Sequence, residues 1–332
     1  MMKPARRIYM LAYEGCQLLD VTGTMQMFAG ANDEFEQPAY ELILAAHTAG
    51  PFKTSAGMSL VADCAFSDID IDGLGPMDTI MATGGDPGLK PALADGHIDR
   101  LIRQAHEQKA RLASVCTGTF FLAAAGVLDG RRAATHWGSV DALRRFRPTI
   151  EVDCEAIYIR DGNIWSSAGV TAGIDLALAL IEDDHDRTIA LSVAQRHVVF
   201  RIRPGGQSQF SSELAMQSAE DARLSGLAEQ ISAHPDKDWR TEALASEIGV
   251  SLRSLTRLFR KQLNSSPSEF VELIRIDQAR RALLETDARI ETVAVRCGFG
   301  SLRRMDRAFA RVISATPTEF RSRFKTDTAR PQ

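Results

Sequence analysis

Thr241-Glu-Ala-Leu-Ala-Ser-Glu-Ile-Gly-Val-Ser-Leu-Arg-Ser-Leu-Thr-Arg-Leu-Phe259 and, further on, Ile290-Glu-Thr-Val-Ala-Val-Arg-Cys-Gly-Phe-Gly-Ser-Leu-Arg-Arg-Met-Asp-Arg-Ala-Phe309 share one grammar. Each reads as a short amphipathic helix, a glycine-containing turn and a second helix rich in arginine. In the first stretch Ala243, Leu244 and Ile248 supply the apolar stripe of the supporting helix. Gly249 permits the turn because it lacks a Cβ, and Ser251 can cap the next helix by accepting a free backbone N–H. Leu255, Leu258 and Phe259 recur at helical spacing and face inward. Arg253, Ser254, Thr256, Arg257 and Arg260 are left facing out. The second stretch repeats the scheme with Val293, Ala294, Gly298 and the cap Ser301. Met305 and Phe309 face inward there, and Arg303, Arg304, Arg307 and Arg311 outward. This is the pattern of a helix-turn-helix, in which the second helix enters the major groove.

A single arginine on such a helix is ordinarily a solvated side chain. Seven of them on two second helices, each behind a glycine turn and a serine, point to double-stranded DNA. The planar guanidinium suits guanine O6/N7 in bidentate fashion and also binds phosphate. The charge distribution agrees. The 332-residue chain has a formal net charge of −4, but residues 221–332 hold 20 Lys/Arg against 15 Asp/Glu. The remainder holds 19 basic and 28 acidic residues. An acidic body with a basic tail domain fits a sensor joined to a DNA reader.

The first 185 or so residues alternate strand and helix signals. Strand-like runs are 7–13, 40–46, 78–83, 111–115 and 133–135, and helix-like stretches include 20–30, 98–108, 117–125 and 139–146. The alternation predicts an α/β domain with a parallel sheet covered on both faces. Runs 156–160 and 164–166 flank Asp161-Gly-Asn163, a hairpin signal that adds an antiparallel piece. Helices over 172–181 and 187–200 close this half. Arg203-Pro-Gly-Gly-Gln-Ser-Gln-Phe-Ser-Ser212 breaks all periodicity and reads as the interdomain linker. From Leu224 onward the signal is all-α, with seven helices, a long one over 268–284 joining the two helix-turn-helix units, and a frayed tail over 326–332. The expected division is 7–185 for the α/β domain, 186–223 for a closing helix and linker, and 224–324 for the DNA-binding domain. No apolar run approaches the roughly 20 residues of a membrane span, the N-terminal segment lacks a signal-peptide core, and the five cysteines have no metal-ligand spacing. These features predict a cytoplasmic protein with no resident metal or cofactor and no membrane partner.

In the first half, Arg111-Leu-Ala-Ser-Val-Cys116-Thr117-Gly118 is a strand running into a sharp turn and a helix, the shape of a nucleophile elbow. A helix N-terminus there favours thiolate over thiol at Cys116. Asp78-Thr-Ile-Met-Ala-Thr-Gly84-Gly85 is a strand ending in paired glycines, whose N–H groups can form an oxyanion hole or hold a carboxylate. Asp20 follows the first strand and can bring a carboxylate near the sulfur. Ala133-Ala-Thr-His136-Trp137 places an imidazole after another strand. Ends of parallel strands are where open α/β sheets bind ligands. Asp20, Gly84, Gly85, Cys116, Thr117 and His136 are therefore the candidate ligand pocket or vestigial catalytic site. Each also has a plain structural alternative: Asp20 a helix cap, the glycines a turn, His136 a satisfied core residue. Cys16, Cys64, Cys154 and Cys297 read as small buried apolar residues.

Residues 224–324 resemble the AraC/XylS-type DNA-binding domain, on Ala243-Leu-Ala, Ser251-x-Arg-x-Leu-x-Arg-x-Phe259, Arg275-x-x-x-Ala-x-x-x-Leu-Leu284, Gly298-Phe-Gly-Ser301, Arg307-Ala-Phe309 and Thr316-Pro-x-Glu-Phe-Arg321. The resemblance implies that Arg253, Arg257, Arg303, Arg304 and Arg307, beside Ser254 and Thr256, make the base and phosphate contacts. The chain departs from the family at Asn264-Ser265, where a glycine usually ends the helix. Residues 7–185 resemble the PfpI-type, class I glutamine amidotransferase-like superfamily, on Ser114-Val-Cys-Thr-Gly118, the 78–85 loop and Ala134-Thr-His-Trp137. Such a domain implies a flavodoxin-like parallel sheet. The nearest enzyme-like pattern is that of isonitrile hydratases, through Leu19-Asp-Val-Thr-Gly23. The full arrangement is similar to the GlxA-type transcriptional regulators, supported by Ser167-Ala-Gly-Val-Thr-Ala-Gly-Ile-Asp-Leu176 and Arg203-Pro-Gly-Gly-Gln-Ser-Gln-Phe210. The family implies an activator that binds promoter DNA, responds to a small nitrogen-containing effector such as arginine, carnitine or betaine, and dimerises through its N-terminal domain, with RNA polymerase as a further partner. The rival reading is a Cys116-dependent hydratase or amidase with Asp20 as acid–base partner, or an enzyme and regulator in one chain.

Overall fold

Runs of apolar residues with no polar alternation, such as Thr79-Ile-Met-Ala82 and Arg111-Leu-Ala-Ser-Val115, have only one economical place, a parallel strand covered on both faces. Every residue of both runs is buried. A computed structural model describes residues 5–154, 156–199, 222–263, 265–313 and 315–324. Its contacts divide the chain into two units, 1–205 and 206–332.

The first unit is built on a seven-stranded sheet. Its strands are β1 (Arg6–Leu11), β2 (Tyr40–Ala46), β5 (Cys64–Ala65), β6 (Thr79–Ala82), β7 (Arg111–Val115), β10 (Tyr158–Asp161) and β11 (Ile164–Ser167). They lie in the order β10-β11-β7-β6-β1-β2-β5. All neighbours run parallel except the β10–β11 hairpin. Gly162 turns that hairpin at φ 64°, as the Asp-Gly-Asn signal requires. Helices α1 (Leu18–Asn32), α6 (Thr171–Asp184) and α7 (Arg187–Arg196) pack together, and α2 (Leu89–Asp95), α3 (His97–Glu107) and α4 (Thr119–Ala124) form another group. The remaining helix, α5 (Val140–Phe146), packs on β9 (Glu151–Asp153). Leu11 pairs with Ala82, Ala82 with Ser114 and Ser114 with Ser166. This single row aligns the carboxyl ends of four strands, so the loops beginning at Ala12, Thr83, Cys116 and Ala168 must meet.

The opposite end of the sheet is pinned by charge. Arg111 is buried and donates to both carboxylate oxygens of Asp184, at 2.8 and 2.7 Å, and to Thr79 Oγ1 at 2.9 Å. Asp184 also accepts from the Tyr40 hydroxyl at 2.9 Å and pairs with Arg6 at 3.2 Å.

Four points differ from the reading of the sequence. The 133–135 run does not join the main sheet: β8 (Arg132–Ala134) pairs with β9 in a separate two-stranded ribbon. A hairpin of β3 (Gly50–Lys53) and β4 (Ser59–Ala62) was not anticipated, because Gly50 and Pro51 are breakers by composition. Cys64 and Cys154 are only half-buried, unlike Cys16 and Cys297. The helix expected over 187–200 ends at Arg196, and the 203–212 linker, Phe200, Asn264 and the 326–332 tail lie outside the described residues.

The second unit holds seven helices among its described residues: α8 (Ala222–Ala233), α9 (Thr241–Glu247), α10 (Leu252–Leu263), α11 (Pro267–Glu285), α12 (Ile290–Arg296), α13 (Leu302–Ile313) and α14 (Pro317–Phe324). They surround two apolar cores. Leu224, Leu244, Leu255 and Phe259 meet Phe270 and Ile274 in one, and Val293, Met305, Phe309 and Phe320 meet Ile276 and Leu283 in the other. The long helix α11 thus contributes its first half to one core and its second half to the other. Each core is entered by the same device. Ser266 accepts the Glu269 amide while Glu269 accepts the Ser266 amide, and Thr316 and Glu319 do the same. With Pro267 and Pro317 at the first helical positions, these are reciprocal capping boxes that fix where α11 and α14 begin.

Candidate functional site

The aligned strand ends build the first site. Cys116 occupies the elbow at φ 58°, a left-handed conformation that is uncommon for a residue with a side chain and is sustained only where its surroundings over-determine it. Those surroundings are glycines and hydroxyls. A Cβ on Gly84 would come within 2.7 Å of the Cys116 Cβ, one on Gly118 within 2.3 Å of the Ala82 carbonyl oxygen, and one on Gly169 within 2.8 Å of the Cys116 sulfur. Only glycine permits that approach at all three positions. The Cys116 carbonyl accepts from Thr135 Oγ1 at 3.0 Å, and Thr119 Oγ1, 3.0 Å from Ser114 Oγ, donates to the Ala134 carbonyl at 2.9 Å.

Asp20 lies within α1, fully buried, and ties that helix to two loops. Its Oδ2 accepts the Gly84 amide at 3.2 Å and its Oδ1 the Val170 amide at 2.9 Å. Val170, β-branched and at φ 52°, is the second strained residue of the site. The Gly85 amide donates to Thr117 Oγ1 at 2.9 Å, and the Gly85 carbonyl accepts from the Tyr13 hydroxyl at 3.0 Å. Both glycine amides, expected to serve an oxyanion or a bound carboxylate, are therefore engaged within the protein.

Electrostatics also reverse an expectation. Burial, and then the nearby Asp20 carboxylate, push the Cys116 thiol up to about 12 against the opposing pull of Thr117. The helix-end effect is weak because residues 116–118 form a 3-10 turn and α4 has only six residues. At neutral pH Cys116 is a thiol, not the thiolate the elbow motif suggested. Asp20 is raised to about 6 by burial, opposed by its two amide donors.

Direct hydrogen bonds and close approaches link Asp20, Gly84, Gly85, Cys116 and Thr117, and His136 follows Thr135, whose hydroxyl donates to the Cys116 carbonyl. His136 sits on the loop after β8, where its Nδ1 accepts the Gly138 amide at 3.3 Å and its ring tilts against exposed Trp137. Burial lowers its pKa, opposed by the nearby Asp86. Sequence reasoning missed Tyr13, Asp86, Thr135 and Val170. Thr135 lay next to His136 in a quoted motif, but the Val170 amide has no side-chain signal at all. A cleft of about 390 Å³ has Tyr13, Glu14, His47, Phe52, Phe66 and Gly88 in its wall, and none of the six expected pocket residues lines it. Tyr13 is common to the cleft and to the surroundings of the elbow, its hydroxyl on Gly85 and its ring in edge contact with Phe121 of α4.

The second site is the arginine-bearing face of α10 and α13. Gly249 (φ 67°) and Gly298 (φ 80°) make the turns. At Gly298 a Cβ would fall 1.9 Å from the Pro235 carbonyl oxygen, so packing as well as conformation demands glycine. Ser251 caps α10, its Oγ accepting the Ser254 amide at 3.2 Å. Ser301 occupies the equivalent position, but its carbonyl rather than its hydroxyl accepts the Arg304 and Met305 amides; no capping bond from that hydroxyl is present among the described residues. Arg253, Thr256 and Arg257 are exposed, as are Arg303, Arg304 and Arg307. Arg253, Thr256, Arg257, Arg260 and Lys261 line one basic hollow. The Thr256 hydroxyl donates to Leu252 O at 3.0 Å, and the Ser254 hydroxyl is 3.0 Å from that of Ser251. Arg311 is paired with Glu272. Two hallmark arginines turn out to be structural. Arg275 donates to the Pro235 and Lys237 carbonyls at 2.9 and 3.0 Å, and Arg321 to Leu283 and Ala288 at 3.1 and 2.7 Å.

Comparison with known proteins matches both halves. The DJ-1/PfpI family matches residues 6–183 and a helix-turn-helix domain residues 244–323. The chain is 32% identical over 88% of its length to the HTH-type transcriptional regulator CdhR of Pseudomonas aeruginosa, covering 84% of that protein. It is 26% identical to the HTH-type transcriptional regulator GlxA of Rhizobium meliloti, over 89% of each chain. Isonitrile hydratase of Pseudomonas putida is 33% identical over 54% of this chain and 72% of its own. Among solved structures, a ThiJ/PfpI family protein from Pseudomonas syringae aligns with a TM-score of 0.54 at 25% identity, over 74% of this chain and 91% of its own. The chain therefore belongs to the DJ-1/PfpI family, in the group that joins this domain to an AraC-type helix-turn-helix half, as the GlxA-type transcriptional regulators do.

Proposed function

We propose that this DNA-binding regulator reads promoter DNA with α10 and α13, and that its first unit holds a small nitrogen-containing metabolite without turning it over. The observation that carries the DNA reading is the repeat in three dimensions: two turn-helix units, each with its own core, exposing Arg253 and Arg257 on one second helix and Arg303, Arg304 and Arg307 on the other. The 19-residue helix α11 that joins them is about 28 Å long. That length is close to the roughly 34 Å between successive major-groove segments on one face of B-DNA. Residues 224–324 are the proposed reading domain, 186–223 the closing helix and linker, and 7–185 the sensing domain, which also forms a homodimer. The protein acts in the cytoplasm on nucleoid DNA and activates transcription through RNA polymerase. Among the described residues no helix is long and apolar enough to cross a membrane.

A sensing rather than catalytic first unit is supported by the engaged Gly84 and Gly85 amides and the protonated Cys116 thiol. The cleft beside Tyr13 is the proposed effector pocket. Its ligand acts by binding one arrangement of the protein better than another. Titrating labelled promoter fragments against random competitor, with and without amines and amino-acid catabolites, tests the reading. Arg307→Ala is expected to cost ~1–3 kcal/mol of site-specific affinity. Equal binding of promoter and random DNA under all conditions refutes the assignment, and Cys116-dependent turnover of an isonitrile or amide, lost in Cys116→Ser, refutes the sensor.

A further inference from the structure

The rim of the cleft carries a cluster that neither the elbow nor the DNA face uses. His47 follows β2, Asp95 is the last residue of α2 and His97 the first of α3. Between the last two, Gly96 at φ 71° reverses the chain, so two side chains two residues apart converge on one point. His47 Nδ1 lies 3.2 Å and His97 Nδ1 2.8 Å from the same oxygen, Asp95 Oδ2. The two rings stand perpendicular, with centroids 5.0 Å apart, and one donor atom from each of the three residues lies within 4.8 Å of the others. We propose that His47, Asp95 and His97 bind a divalent transition-metal ion of the zinc type.

Donor chemistry selects the ion. Two imidazoles and one carboxylate suit zinc and its first-row neighbours, whereas magnesium and calcium take oxygen ligands. Spacing agrees as well. Zinc bonds of 2.0–2.2 Å in a tetrahedron imply about 3.3 Å between neighbouring donors; the 3.2 Å approach of His47 to Asp95 matches it, and an ion would lengthen the 2.8 Å approach of His97. Hydrogen bonding within the cluster is a poorer account of His97. Its Nδ1 is shielded from water and, although 2.8 Å from the carboxylate, has no partner with hydrogen-bond geometry. A three-ligand set leaves a coordination position for water or an incoming ligand, and His47 and Asp95 both line the cleft. The ion thus stands where a small molecule entering the cleft can meet it.

The test is calorimetric titration of the full-length, untagged, reduced and EDTA-stripped protein with zinc chloride, and with cobalt(II) chloride followed by absorption. One zinc per chain is expected, with affinity falling at least about tenfold in His47→Ala and in His97→Ala, since even residues behind a metal ligand are worth 10–100-fold. Cys116→Ser should bind as wild type, and magnesium should give no comparable uptake. Because side chains 63% and 42% exposed support little of the fold, both histidine variants should keep wild-type circular dichroism, and His47→Gln provides a polar replacement. No uptake by wild type, undiminished affinity in all three histidine variants, equal binding of magnesium, or a cobalt–thiolate charge-transfer band would each overturn the site.

Discussion

Cys116 and Asp20 show how neighbours decide what a residue can do. The elbow motif argues for a reactive sulfur, yet the sulfur faces a buried carboxylate and little water. A thiol held at about 12 has several orders of magnitude less thiolate at pH 8 than a free cysteine with a pKa of about 8.5. Alkylation of Cys116 by iodoacetamide is therefore expected to be at least ~100-fold slower in the native protein than in urea, and faster in Asp20→Asn than in wild type. Peptide mapping by mass spectrometry reads both, and native labelling at the unfolded rate would contradict the geometry. Asp20 makes a separate statement about pH. Its folded value of about 6 lies above the roughly 3.9 of an unfolded aspartate, so folding favours the neutral acid. That contribution is full below pH ~4 and is lost as the pH rises through 6, for a total of about 3 kcal/mol. Urea unfolding of wild type against Asp20→Asn at pH 4.5 and 7.5 should show the wild type losing ground at the higher pH. A constant difference would mean that Asp20 titrates normally.

At the scale of elements, the strand-end row explains why much was readable and part was not. Apolar runs, the Asp161-Gly-Asn163 turn, the two glycine turns and the inward faces of α10 and α13 are local signals, and each lies where its spacing placed it. The candidate residues on the loops after the strands are brought near one another because parallel strands align their carboxyl ends, which the strand–turn–helix alternation already implies. What escaped notice is non-local. The Asp20–Val170 bond joins residues 150 apart in sequence, and no pattern announces that a backbone amide will be taken. The three-residue strand β8 is too short for its run to say which sheet it joins. The charge cluster at the other sheet end is similarly hidden, since Arg111 reads as an ordinary strand-start cation. Its burial against Asp184 yields a test. Asp184→Ala leaves Arg111 buried with its partner gone and removes acceptors from Tyr40 and Arg6. Breaking a buried pair from one side costs about 3–5 kcal/mol, and that loss should be seen in denaturant unfolding of the first unit. A loss under 1 kcal/mol would show that solvent reaches the pair.

For the whole molecule, the separation of charge and the separation of cores tell the same story. The excess of acid lies in residues 1–220 and the excess of base beyond them, so attraction to DNA phosphate is concentrated in the second unit. That unit also has the means to fold by itself. Its two cores draw only on residues between Leu224 and Phe320, and α11 braces both. The turn glycine Gly298 and the clamp Arg275 both seat against the Pro235 carbonyl, within the same unit. A fragment beginning at residue 221 is therefore expected to melt cooperatively and to retain sequence preference for the promoter. Its affinity should fall steeply with salt as released counterions dictate, by a slope of about 0.9 per phosphate contact. Loss of the first unit should remove any response to effector while leaving the slope per bound reading domain unchanged. Anisotropy titrations of the fragment and the full chain between 50 and 200 mM salt decide the matter. Equal slopes per reading domain fit an independent reader, whereas a fragment that binds only non-specifically would mean that the first unit completes the reading surface.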